Sequence, residues 1–90
     1  MKLDFNETTI LIQSIDDLEA RKRKVTKETL VNLFYELAQN TNKKYNFIRQ
    51  SIKSLAVKIE LLSEKDIERI YVDAKNKNIV ATAGYNLPSS

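Results

Sequence analysis

The sequence predicts a mainly α domain of three to four helices, and three observations carry that reading. Apolar residues recur at spacings of three and four along most of the chain, polar clusters with capping residues separate these stretches, and only one Gly and one Pro among 90 residues serve tight turns. A chain of this length supports one hydrophobic core. With 42% hydrophobic and 30% charged residues, its composition is that of a globular domain.

The first helix is expected from about Asn6 to Lys24, because Leu11, Ile15, Leu18 and Val25 share one face. Asp4 and Glu7 have the spacing of a capping box. The run Arg21-Lys22-Arg23-Lys24 would complement the helix dipole at the far end. Thr26 is a good N-cap for a second helix through Ala38, with Leu30, Leu33, Phe34 and Leu37 as its stripe. Gln39-Asn40-Thr41-Asn42 then reads as a connector, since these side chains compete for backbone hydrogen bonds.

A third helix, about Lys43 to Leu62, carries the longest seam: Tyr45, Ile48, Ile52, Leu55, Ile59 and Leu62. At 100° per residue Phe47, Val57 and Leu61 lie on a different side, with Gln50 and Ser54 between them. Two-sided apolar character calls for a second cover, supplied either by the C-terminal segment or by another subunit. Ser63 with Asp66 is a further capping signature, and Ile67, Ile70, Tyr71 and Ala74 extend a fourth helix from Glu64 to about Lys75. The alternative over the same region is a β-hairpin of 69–73 with 79–83, which would turn the helix-turn-helix-like element order into a winged helix. The domain is expected over residues 1–83, with 84–90 as a loosely held C-terminal tail.

Residue types narrow the chemistry. Cysteine and histidine are both absent, which removes thiolate metal sites, disulfides and the commonest general base. One Gly cannot build a phosphate-cradling loop. Asp16, Asp17 and Glu19 point apart on a helix and do not form an acid and base pair. No enzymatic activity, cofactor, bound metal or small-molecule substrate is expected. No stretch approaches a membrane span or an apolar leader, so the expected location is cytoplasmic.

Charge is unevenly spread. Residues 21–58 hold ten basic against two acidic side chains, whereas residues 1–20 hold one against five. Arg21, Lys22, Arg23, Lys24, Lys43, Lys44, Arg49 and Lys53 are the candidate nucleic-acid contacts. All are read as phosphate contacts except Arg49 and Lys53, which would stand one turn apart on the third helix and reach base edges. Tyr45 would add a contact, although its place on the seam also suits packing. The resulting expectation is a small DNA-binding regulatory protein with helix-turn-helix order. The competing reading is a helical inhibitor or adaptor that binds protein, with Phe47, Val57 and Leu61 as its interface. A homodimer suits both readings, and the abundance of Lys, Asn and Ile suits an AT-rich genome such as that of a phage or plasmid.

Overall fold

The chain folds into four helices closed by a short sheet joining its two ends, as seen in a computed structural model that describes residues 1–40 and 42–88. Strand β1 (Lys2–Leu3) leads into α1 (Phe5–Ala20), followed by α2 (Lys27–Ala38), a 3-10 turn at Lys43–Tyr45, α3 (Arg49–Glu60), α4 (Glu64–Lys75), a second 3-10 turn at Ala81–Ala83 and β2 (Tyr85–Asn86). The mainly helical architecture expected from the spacing of apolar residues is observed.

Three of the helix starts are closed by reciprocal caps. Asp4 and Glu7 form a capping box on α1, Thr26 and Thr29 on α2, and Ser63 and Asp66 on α4. Each pairing satisfies two backbone N–H groups that the first turn leaves without partners.

Helix α1 stops four residues earlier than its apolar spacing suggests. Arg23 N–H donates to the Leu18 carbonyl at 2.8 Å and Lys22 N–H to that of Glu19 at 2.9 Å, with Lys22 at φ 56°. That is a Schellman termination with lysine where glycine is usual. The basic run therefore lies in the connector beyond α1 rather than in its last turn. Helix α4 ends the same way, with Lys77 at φ 57° and Asn78 N–H donating to the Asp73 carbonyl at 2.8 Å.

Helix α3 begins at Arg49, not near Lys43. Asparagines explain the delay: Asn40 Oδ1 accepts from Asn42 N–H at 2.9 Å, and Asn42 Oδ1 from Lys44 N–H at 3.2 Å. These local bonds hold the chain in turns before the helix takes over. Of the expected connector, Thr41 lies outside the described residues.

One core unites the elements. Leu11, Ile15, Leu30, Phe34, Ile52 and Ile70 are among its fully buried members, drawn from all four helices. Residues 69–75 belong to α4, so the strand pair 69–73 with 79–83 is not made. The C-terminal segment instead places its antiparallel pairing elsewhere: Val80 bridges Gly84, and β2 pairs with β1 in the register Lys2 to Asn86 and Leu3 to Tyr85. Gly84 is required there, because it adopts φ 74° and an added Cβ would meet the Leu3 carbonyl oxygen at 2.8 Å.

The expected tail is corrected by the same contacts. Leu87 is buried and its N–H donates to the Met1 carbonyl at 2.8 Å, while the Tyr85 hydroxyl donates to Asp73 Oδ2 at 2.6 Å. Burial and then the Asp73 carboxylate push the Tyr85 phenol above its ordinary ionisation range. An apolar residue at 87 and a paired phenol at 85 hold what polar composition had suggested was loose. Ser89 and Ser90 lie outside the described residues.

Candidate functional site

Helices α2 and α3 set the geometry of the candidate surface. At one end, Arg49 Nε donates to the Ala38 carbonyl at 2.9 Å; at the other, Lys27 Nζ donates to the carbonyls of Glu60 at 3.0 Å and Leu62 at 2.8 Å. The two helices therefore run side by side in opposite directions. Helix-turn-helix pairs cross at about 90–120°, which frees the second helix to enter a groove. Here the element order is kept, while α3 lies along α2 with Ile52, Leu55, Ala56 and Ile59 buried.

Arg49 is committed to this arrangement. Besides the Ala38 carbonyl, its guanidinium donates to the Asn40 carbonyl and, at 2.9 Å, to Asn46 Oδ1. It closes the carboxyl end of α2, where cations and donors are favoured. A base-reading role is not what this geometry provides, because the planar fork of donors already has three acceptors.

The other basic candidates fall into two groups. Arg21, Lys22, Arg23 and Lys24 precede α2, whereas Lys43 and Lys44 follow it, and the 12 residues of α2 hold the groups about 18 Å apart. Arg21 is ion-paired with Asp17 at 3.1 Å. Lys22, Arg23, Lys24, Lys43, Lys44 and Lys53 are exposed and, among the described residues, have no carboxylate in ion-pair range. The Lys44 ammonium stands 5.3 Å from the centre of the half-buried Tyr45 ring. Arg49 and Lys53 are thus not a matched pair: one is used internally and the other projects from α3.

The outward side of α3 exposes apolar residues among polar ones. Phe47 just before the helix is 91% exposed, Val57 58% and Leu61 70%. Val57 within α3 and Leu61 at its C-cap are large apolar side chains open to water, a usual mark of a contact surface, whereas Phe47 stands in the turn before the helix. Of the two covers expected from sequence, the C-terminal segment is engaged with β1 and α1 and leaves Val57 and Leu61 exposed. Within the described residues, this face has no cover from its own chain.

Helix α3 is also held rigidly against the start of α1. Glu7 is 3% exposed; its Oε2 accepts from Ser54 Oγ at 2.8 Å and pairs with Lys58 Nζ at 2.8 Å, and its Oε1 accepts from Asp4 N–H at 3.1 Å. Burial alone would raise its carboxyl pKa, but Lys58, the Asp4 N–H and Ser54 outweigh this and hold it below the ordinary range. The sequence marked Glu7 as a cap residue and Lys58 only as part of a basic segment. Their meeting, 51 residues apart, had no local signal.

Comparison with protein-family models, curated proteins and solved structures finds no match to this chain.

Proposed function

We propose that this protein is a non-catalytic interaction module that pairs with a second copy of itself through the outward face of α3. The observation that carries the reading is the exposure of Val57 and Leu61 on a helix whose other side is the packed core seam. Gln50, Val57 and Leu61 follow one another at spacings of seven and four, as along a helix-helix seam.

Charge complementarity favours a second copy over an unrelated partner. Lys53 and Glu60 are seven residues apart, so they lie on the same flank of that seam. Two α3 helices packed antiparallel about an axis near Val57 bring Lys53 of each copy against the partner's Glu60. An interface centred on one helix of about 18 Å is small, so a Kd of roughly micromolar order is expected. Sedimentation equilibrium tests the proposal. The native chain should approach twice its 10.4 kDa mass at tens of micromolar, and Val57→Asp with Leu61→Asp should remain monomeric and folded. A native chain that stays monomeric at such concentrations contradicts the reading.

A second reading, contact with nucleic-acid phosphates, is favoured by the six exposed basic side chains that lack an ion pair among the described residues. In this form the contacts position the protein without reading bases, since Arg49 is occupied at the end of α2. A dimer would double the basic footprint. Anisotropy of labelled duplex DNA across a salt series distinguishes it, with a log–log slope near about −5 if six phosphates are neutralised.

A further inference from the structure

Tyr35 stands at the border between α2 and α3. It follows the fully buried Phe34 by 100° of helix rotation and comes one turn after the buried Val31, so it sits at the edge of the α2 core stripe rather than opposite it. Its side chain is nevertheless 46% exposed. The hydroxyl donates to Glu60 Oε1 at 2.9 Å, linking the two helices across 25 residues of chain. That bond, and then the charge of Glu60, raise the phenol above its ordinary ionisation range, so it stays a donor at neutral pH.

Glu60 is otherwise unmatched. Among the described residues its carboxylate has no cation in ion-pair range, and the nearby Lys27 ammonium is turned to the main-chain carbonyls of Glu60 and Leu62. Glu28 and Glu64 line the same shallow cleft as Glu60, which makes this border acidic. Lys53, on the flank of α3 that carries Glu60, is exposed and likewise without a carboxylate in range.

We propose that the self-pairing surface extends from α3 onto α2 through Tyr35, which acts as a positioning residue: its hydroxyl holds one Glu60 oxygen and leaves the other to Lys53 of a second copy. This inference rests on the self-association reading. Exposed ion pairs usually contribute little, because both side chains lose rotamer freedom when they meet. The bond from Tyr35 orders Glu60 before a partner arrives, which reduces that loss. The exposed ring adds a rigid aromatic contact beside the Val57 and Leu61 seam, of the residue type enriched in protein interfaces.

Sedimentation equilibrium of the full chain and of Tyr35→Phe tests it. The variant keeps the ring and loses the bond, so its dimer should be about three- to tenfold weaker, with urea unfolding of the monomer close to native. In a Glu60→Ala background the same change should alter Kd by less than about twofold, since no carboxylate remains to be held. Tyr35→Ala should weaken the dimer more than Tyr35→Phe does. A native chain that dimerises while Tyr35→Phe keeps the native Kd overturns this inference and leaves self-association standing. An equal loss with and without Glu60 overturns it as well, because Tyr35 then does not act through that carboxylate. A native chain that stays monomeric overturns both readings together.

Discussion

Lys58 of α3 reaches across to Glu7 of α1 with its ammonium 2.8 Å from Glu7 Oε2 and 3.0 Å from Oε1, tying a helix cap to the helix that carries the candidate interface. The carboxylate is buried and the lysine partly so, which makes this pair more consequential than the exposed pair of Arg21 with Asp17 or that of the exposed Arg69 with the half-buried Asp73. Removing the cation alone leaves a buried charge. Lys58→Met is therefore expected to lower stability by about 2–3 kcal/mol at neutral pH, measured by urea unfolding.

The same carboxyl gives a pH dependence of definite sign. Its folded pKa lies below the ordinary 4.5, so the ionised form stabilises the fold above that value, and the contribution is lost as pH falls through the lowered folded pKa. Glu7→Gln should be less stable than the native chain at pH 7 and should lose less stability on acidification from about pH 5 to 3. Parallel acid-unfolding curves for the two proteins would contradict the assignment.

Arg49 separates a structural role from a recognition role. As the group that closes the end of α2, its replacement by Ala should destabilise the fold by about 1–2 kcal/mol. Its replacement should leave the salt slope of any DNA binding unchanged. Replacing Lys22, Arg23 and Lys24 together by Gln should instead flatten that slope by about 3 while preserving the fold.

Lys77 offers a gain of stability. It holds a left-handed conformation at the end of α4, φ 57°, where glycine has no steric penalty. Lys77→Gly should raise stability by about 0.5–1 kcal/mol in thermal unfolding, whereas Gly84→Ala should lower it through the close Leu3 carbonyl.

Much of this fold was legible because its signals are local. Caps at Asp4, Thr26 and Ser63 and the seams of Ile52, Leu55 and Ile59 or Ile67 and Ile70 are written within a few residues. What escaped depends on distance. The Asn-rich approach to α3 shortened a helix whose apolar spacing continues unbroken through it, and lysines at positive φ ended α1 and α4 where no glycine announced a stop. Pairing of the chain ends is long-range, so Tyr85 and Leu87 read as a tail. Helical angles set Val57 and Leu61 away from the seam, and both are exposed there, but the same angles counted Phe47 as part of a helix that begins only at Arg49; the common flank of Lys53 and Glu60 follows from their seven-residue spacing.

The most direct test of antiparallel self-pairing is charge exchange between Lys53 and Glu60, followed by sedimentation equilibrium. Lys53→Glu alone and Glu60→Lys alone each create two like-charge contacts across the axis and should weaken the dimer by roughly three- to tenfold. Mixing the two variants restores opposite charges at both contacts, so the mixture should associate more tightly than either variant alone. If the mixture associates no better than its components, the antiparallel α3 interface is contradicted.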